Sequence, residues 1–545
     1  MIKTEATLPE TQHAVQLVGP GELRLNPAKA VTKPGPHEIL IKIEAVGLCF
    51  SDLKLLKQFD QHARKSAVIS GISNDALKEI QSYVPGPAPV VPGHEVVCRI
   101  VDIGGQVEKH KVGERCLVQT DYRDLPTANS NAAFGYNFDG GLQEYCLVDE
   151  RVVIDSKGER FLIPVGDEKS ASAVALVEPW ACVEDSYVNQ ERQYVKAGGR
   201  LLLVAEDEAT IQSLDGAYSP EGPPGEVVRV DPGEVGQLAD EAFDDIVYLG
   251  ADRATIETLN DKLAPRGILN VVLAGKKIGE KVNIGVGRVH YGMTRWIGTT
   301  GTSAADSYRV IPQTDEIRKD DSILVVGAGG PMGQMHVIRN ICSGVPGISI
   351  VGTDFDDIRL ASIENKARPL ANANEVDLRI VNPQNDPLEE QFSYFALMAP
   401  VPALVEQSIQ DARQGAIINI FAGIPAPTKH EIDLDTYIAK RCFMFGTSGS
   451  VIEDMKIVLA KVESGQLDTN CSVDAISGMA GATDGLAAVE NRTLAGKIIV
   501  YPTLHELGLT PLSALSEKFP SVAEKLENGQ WSRAAEEELL RVASS

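Results

Sequence analysis

Three short stretches hold residue types able to bind a metal and move a proton. They are Gly47–Asp52, with Cys49, Ser51 and Asp52; Gly93–Glu95, with His94 and Glu95; and Val177–Cys182, with Glu178. Each has an ordinary reading by itself. A free cysteine such as Cys49 is commonly a small core residue. His94 could be a loop histidine with its hydrogen bonds satisfied. Glu178, ahead of Pro179, suits a helix start, where an acid meets the positive end of the dipole. Together the three stretches supply a thiolate, an imidazole and a carboxylate. Three such ligands leave a fourth position open on tetrahedral zinc, the layout of a catalytic site rather than a closed structural one.

A fourth stretch, Asp321–Arg359, carries different chemistry. It opens with the apolar run Ile323–Val326 and turns through Gly327, Gly329, Gly330, Pro331, Met332 and Gly333. A helical pattern follows over Gln334–Cys342, then a second apolar run, Ile348–Gly352, ending at Thr353 and Asp354. Strand, glycine turn, helix, strand and acid, in that order, predict a dinucleotide site. Glycines let the backbone approach the pyrophosphate, whose charge rests on amides at the helix N-terminus. Counted from Gly327, the sixth position is Met332, and Gly333 comes one residue late. On spacing alone, a glycine-rich turn in an ordinary α/β domain therefore stays open. Asp354, 27 residues after Gly327, can accept from both ribose hydroxyls and would repel a 2′-phosphate, so NAD is expected over NADP.

The elements that must position the first three stretches have β character. Glu38–Val46, Val96–Ile103, Arg115–Gln119 and Glu144–Val148 are short, rich in Val and Ile, and bounded by Gly, Pro or Asp. Between them, Asp60–Pro92 adds a helix over Asn74–Tyr83 and a proline-rich loop, Pro85–Pro92.

Length and composition bound the rest. A chain of 545 residues suggests three domains of roughly 150 residues each. A hydrophobic content of 43% is ample for folded cores. The net charge of −25 argues against nucleic acid or an anionic membrane as the main partner. No apolar run approaches a membrane span, and Met1–Glu10 lacks a signal pattern. The eight cysteines are scattered without a Cys-x-x-Cys pair, which reads as a reduced, cytoplasmic enzyme.

The three ligand stretches, in this order and ahead of a dinucleotide fold, resemble the zinc-dependent medium-chain dehydrogenases. Glu178-Pro179-Trp180-Ala181, in place of a third cysteine, is similar to the polyol branch, that of sorbitol dehydrogenase. The turn GAGGPMGQMHV and the tail Gly496–Glu538 resemble sorbose-1-phosphate reductase-type members. The resemblance covers about Val31–Val195 and Asp321–Thr503. It implies an α/β molecule with a GroES-like β-rich catalytic domain and a Rossmann-type doubly wound sheet. Cys49 and His94 would bind zinc, with Glu178 as the third ligand, directly or through a water. Glu95 would swap on and off the metal, Ser51 would relay the substrate proton, and Asp52 would orient the site. Hydride would pass between the secondary alcohol of a polyol or sugar and NAD.

Two departures from the family stand out. Cys116–Gly141, where four close cysteines often hold a structural zinc, has one cysteine, so one catalytic zinc and no structural zinc is expected. Cys49 and His94 are 45 residues apart, a longer separation than the family suggests. The extra Asp60–Val91 segment is either a substrate lid or surface decoration.

A third departure lies in the middle, where about 140 residues separate Glu178 from Gly327. Strands are predicted at Arg200–Val204, Glu226–Val230, Asp245–Leu249, Ile268–Leu273 and Arg295–Gly298, with a helix over Ala254–Leu263. This insert reads as an internal repeat. Arg266–Gly275 (RGILNVVLAG) matches Gln414–Gly423 (QGAIINIFAG) at an offset of 148; at the same offset Gly298–Thr302 matches Gly446–Ser450, and Asp306 falls on Asp454. The chain thus predicts two nucleotide domains, the first degenerate: Glu206 to Glu208 stand where its glycine turn should be. In the second, Arg359 is placed to flank the adenine, and Ala399, Ala422 and Thr447 fall at or just after strand ends, where the nicotinamide half should lie.

The expected order is a catalytic domain over 1–195, a degenerate Rossmann-like domain over 196–315, an NAD-binding domain over 316–464, and a return to the catalytic domain with a helical tail over 465–545. The two copies are expected to pair as an internal pseudo-dimer through Arg295–Gly301 and Phe443–Gly449, since a sheet edge needs a partner. The tail helices, Pro511–Lys518 and Ser532–Val542, read as a solvated cap. A reductase of a ketose phosphate is the close alternative, one that cleft-facing Arg64, Lys65 or Arg123 would favour. A zinc-free quinone-reductase-like enzyme or a nucleotide-binding sensor without zinc are others, which the set of Cys49, His94 and Glu178 argues against.

Overall fold

The computed structural model describes residues 8–205, 214, 216–447 and 449–543. Two compact units divide the chain: Met1–Ala181 with Ser450–Ser545, and Cys182–Gly449. The chain therefore rejoins its first unit at Ser450 rather than Gly465. The helix Ile452–Ser464 is the reason, because it packs with Ala171–Ala175 of the first unit.

The first unit is built on a sheet of eight strands. In spatial order, seven run Thr510–Pro511, Val473–Ser477, Lys497–Val500, Glu38–Gly47, Glu95–Ile103, Arg115–Val118 and Leu162–Pro164. The eighth, Tyr145–Asp149, also pairs with Glu38–Gly47. Glu38–Gly47 is central and almost entirely buried, as its apolar run requires. An antiparallel hairpin, Thr11–Gly19 with Glu22–Ala30, was not evident in the sequence. Its second strand is mostly exposed and contains Pro27, which argues against a strand when only the sequence is read.

The Asp60–Val91 segment is tied down rather than loose. Val68 N donates to the Tyr83 hydroxyl, Thr127 Oγ1 to the Ala63 carbonyl, and Asn137 Nδ2 to the Ser66 carbonyl. Its helix is shorter than expected, Asn74–Glu79.

The tail corrects its reading as a solvated cap. Glu536, on Arg533–Ala543, is buried and accepts from the amides of Ala171 and Ser172 and from the Tyr501 hydroxyl. A carboxylate on those amides caps the Ala171–Ala175 helix from 365 residues away.

The second unit contains two parallel sheets. One runs Glu226–Val230, Arg200–Ala205, Phe243–Leu249, Leu263–Val272, Arg295–Thr299; the other Asp377–Val381, Ser349–Thr353, Ser322–Val326, Phe392–Leu397, Ala412–Asn419, Phe443–Phe445. Runs such as Ser322–Val326 are buried along nearly their whole length, as strands covered on both faces must be. The sheets share one apolar core, which includes Tyr248, Trp296, Phe395 and Tyr437. They are therefore not separate domains split near residue 316. Residues 206–213, where the acids Glu206 and Glu208 fall, lie outside the described residues.

The expected ladder between Arg295–Gly301 and Phe443–Gly449 is absent among the described residues. The antiparallel cross-pairing is made instead by Val282–Ile284 and His430–Ile432, with Asn283 opposite Glu431. Those two residues are 148 positions apart, the repeat offset, so the pairing is symmetric about them. Side chains guard the two edge strands: Tyr437 donates its hydroxyl to the Trp296 carbonyl at 2.8 Å and accepts from Met444 N at 3.0 Å, and Arg295 reaches the Gly446 carbonyl at 3.3 Å. Such cover is one of the ways an exposed edge is managed.

Candidate active site

Cys49 stands just ahead of the helix Phe50–Gln58, at the end of the central strand. Asp52 Oδ2 accepts from the Cys49 amide at 3.1 Å and so fixes the turn. Its other oxygen lies 3.0 Å from His94 Nδ1. An Nδ1–H donated to Asp52 leaves Nε2 with a lone pair, the form a metal needs. Burial alone would lower the proton affinity of His94, but the Asp52 carboxylate outweighs it and holds the imidazole well above its ordinary value.

Ligand atoms of Cys49, His94 and Glu95 all lie within 4.8 Å of one another. Ser51 Oγ is 3.1 Å from both Cys49 Sγ and His94 Nε2. Glu95 is fully buried; Lys497 Nζ binds its Oε1, while Oε2 has no hydrogen-bond partner. An unpartnered carboxylate oxygen beside a thiol and an imidazole costs free energy unless a cation serves it, so this set fits a metal. Glu178 lies outside the three-residue cluster. It is buried, and desolvation raises it to about 7, opposed by His94 and reinforced by Glu95. Gly47 is required by the same packing, since a Cβ there would meet Glu95 Oε2 at 2.0 Å.

Lys497 and Tyr136 were not found from the sequence. Lys497 lies 402 residues from Glu95 in the chain, and no local pattern marks it. Tyr136 sets its ring 5.7 Å from that of His94. Ser51 touches both candidate ligands; if they hold a metal and Ser51 relays the proton, Ser51→Ala should slow turnover roughly a hundredfold while bound metal stays at the parental level. Metal loss in that variant, or unchanged turnover, would remove Ser51 from the proton path.

In the second unit, the glycine turn joins Ser322–Val326 to the helix Pro331–Ile341, with Pro331 at the first helical position. Gly327 takes a left-handed φ of 84°, and its amide donates to the Thr353 carbonyl at 2.8 Å. The Gly329 amide donates to Asp354 Oδ2 at 3.1 Å, which ties the turn to the end of the next strand. A Cβ on Gly329 would fall 2.8 Å from that oxygen and 2.7 Å from Arg359 Cβ; on Gly333 it would lie 2.1 Å from the Gly327 carbonyl oxygen. A Cβ on Gly330 would meet only the Gly327 carbonyl oxygen, at 3.8 Å, an ordinary contact. Met332 follows Pro331 in the first helical turn, and Arg359 sits in the first turn of Asp357–Ala373, 3.7 Å from Asp356. Ala399, Ala422 and Thr447 follow the C-terminal ends of Phe392–Leu397, Ala412–Asn419 and Phe443–Phe445. Phe355 and Ile358, just after Asp354, are exposed apolar side chains.

Residues 35–158 match the alcohol dehydrogenase GroES-like domain model. The chain is 25% identical over 359 residues to the uncharacterized protein YggP of Escherichia coli, spanning 57% of this chain and 79% of that protein. It is 23% identical over 378 residues to mannitol-1-phosphate 5-dehydrogenase of Aliivibrio fischeri, spanning 61% and 84%. Its fold is similar to that of 2R,3R-butanediol dehydrogenase from Bacillus subtilis, with a TM-score of 0.50 and 15% identity over 90% of this chain and 100% of that one. These matches support the medium-chain dehydrogenase family, oxidoreductases that join a GroES-like domain to an NAD-binding Rossmann fold. Within it, similarity to alcohol and polyol dehydrogenases supports an enzyme.

Proposed function

We propose that the protein is a zinc- and NAD-dependent oxidoreductase that transfers a hydride between the secondary alcohol of a polyol or sugar derivative and NAD. The observation that carries this reading is the convergence of Cys49, His94 and Glu95, whose ligand atoms all lie within 4.8 Å of one another. Bound there, zinc would supply Lewis acidity toward a substrate oxygen. Cys49 and His94 would hold the ion, Glu178 would complete the set directly or through a water, and Glu95 would swap on and off it. Asp52 keeps His94 in the ligating tautomer. Ser51 takes the proton that leaves the substrate hydroxyl.

Asp354 at the strand end supports NAD as the cofactor. Asp354→Ala should cut the preference for NAD over NADP by about tenfold, close to 1.4 kcal/mol. Steady-state kinetics with both cofactors check this; a parent protein that already prefers NADP would contradict it.

The same reading takes the two sheets of Cys182–Gly449 as copies of one nucleotide domain held as an internal pseudo-dimer. The 148-residue offset and the pairing of Asn283 with Glu431 support it.

A second reading, reduction of a ketose phosphate, is favoured by Arg64. Its guanidinium lies 5.6 Å from the Tyr136 ring, which in turn contacts His94, and it is 3.5 Å from Asp121. Burial, then the charges of Arg64 and Lys54, lower His62 to about 4. Lys65 and Arg123 are otherwise engaged, Lys65 on the carbonyls of Val84 and Ala88 and Arg123 on Asp121 and the Ser450 carbonyl. A screen of polyols against their phosphates, followed by NADH absorbance, separates the readings. Turnover of polyols alone supports the first, of phosphates alone the second, and of neither overturns both.

A further inference from the structure

Apart from Cys49 and His94, the first unit gathers another set of ligating side chains. His13 lies on Thr11–Gly19, Glu144 directly precedes Tyr145–Asp149, and His505 follows Lys497–Val500. Their ligand atoms all lie within 4.8 Å of one another. Glu144 Oε1 is the hub: His505 Nε2 is 2.9 Å from it and His13 Nδ1 3.7 Å. The two imidazoles stack, with centroids 3.8 Å apart and planes at 25°.

Hydrogen bonding alone does not account for this cluster. Glu144 Oε1 accepts from the His13 amide at 3.0 Å. His505 Nε2, by contrast, is shielded from solvent and completes no hydrogen bond, although the carboxylate is so near. An N–H aimed at that oxygen would satisfy the ring nitrogen, and the ring is not turned to do so. Two stacked imidazoles also repel if both are protonated, and one carboxylate balances only one of them. A divalent cation between the three atoms would accept a lone pair from each and balance the carboxylate.

The ligands stand on backbone that is already fixed. The Gln12 side chain exchanges hydrogen bonds with the Tyr145 backbone at 2.9 and 2.6 Å. Val15 N donates to the Leu142 carbonyl and Ile43 N to the Glu144 carbonyl, each at 2.8 Å, and Ala480 N to the His505 carbonyl at 3.0 Å. Such support is what a metal site needs to hold its geometry.

We propose that His13, Glu144 and His505 form a second divalent-metal site that fastens the N-terminal hairpin to the C-terminal segment of this unit. Two imidazoles and one carboxylate select zinc and neighbouring first-row ions over calcium or magnesium, with water in the remaining position.

Cobalt is a probe that distinguishes the two sites. Full-length protein stripped of metal and titrated with Co2+ should take two equivalents. One should show thiolate-to-cobalt charge transfer from Cys49, the other only weak d–d bands. Cys49→Ser should lose the first alone. His13→Ala/His505→Ala should lose the second alone and keep parental turnover. His505→Gln preserves bulk and polarity, guards against misfolding of the double variant, and should lose the second as well. A single equivalent in the parent that carries the charge-transfer band, or two equivalents retained in both histidine variants, would overturn the proposal. Absence of the charge-transfer band with the d–d site intact would count against the catalytic assignment and leave this site standing.

Discussion

Cys49→Ala should leave a folded protein whose turnover is reduced roughly a thousandfold, since a Lewis acid contributes several kcal/mol to the transition state and each tenfold is about 1.4 kcal/mol. The fold should survive because Cys49 is only partly buried. Its amide is held by Asp52 Oδ2 at 3.1 Å, a bond that alanine keeps. An open three-ligand site, unlike a closed four-cysteine one, does not hold a domain together. The melting temperature and circular dichroism of the variant should therefore match the parent while activity and one equivalent of metal disappear. A variant that loses this metal yet turns over at the parental rate would show that the cluster of Cys49, His94 and Glu95 is not the reacting centre.

Gly333→Ala should have the second large effect, on the cofactor. A Cβ at this position would lie 2.1 Å from the Gly327 carbonyl oxygen, 2.7 Å from Ala328 Cα and 2.8 Å from Gly327 C. All three are backbone atoms, so no side chain can rotate away. The helix Pro331–Ile341 must shift from the turn that its N-terminus closes. Overpacking of this kind costs about 1–3 kcal/mol of stability. Displaced amides should also weaken dinucleotide binding by about a hundredfold, some 2.7 kcal/mol. Fluorescence titration with NADH measures the second quantity and a thermal melt the first. Gly233→Ala is the control, because nothing lies within 4 Å of its Cβ position. Parental NADH affinity in Gly333→Ala would mean that the glycine turn does not receive the pyrophosphate.

Residues close in the chain were the readable ones. Gly327 to Asp354 announces itself because strand, turn, helix and acid follow one another without interruption, and the strands fall at Ser322–Val326 and Ser349–Thr353. Most strands of the inserted segment were legible as short apolar runs, several of them beside a glycine, whereas Val282–Ile284, only three residues long, was not. Cys49 with Asp52 three residues on, and His94 with its neighbour Glu95, were readable as local sets.

Long-range partnerships were not. Nothing local in Lys497 says that it neutralises one oxygen of Glu95, and nothing in Glu536 says that it caps a helix at Ala171. Both are charged residues in otherwise ordinary segments, and only the fold supplies their partners. The cross-pairing failed in detail for a similar reason. The segments that do pair, Val282–Ile284 and His430–Ile432, were not singled out in the sequence, and the choice between them and Arg295–Thr299 depends on how closely two sheets can approach. Side chains such as Tyr437 and Arg295 occupy the space between the edge strands.

The central claim, metal-assisted hydride transfer to NAD, is tested most directly by removing the metal from active protein. With NAD and a substrate identified by the polyol and sugar-phosphate screen, NADH formation is followed before chelation, after chelation, and after adding back zinc. The account predicts that turnover falls to background, that zinc restores it in the parent, and that zinc fails to restore it in Cys49→Ala. Undiminished turnover in protein shown to be free of metal would contradict it.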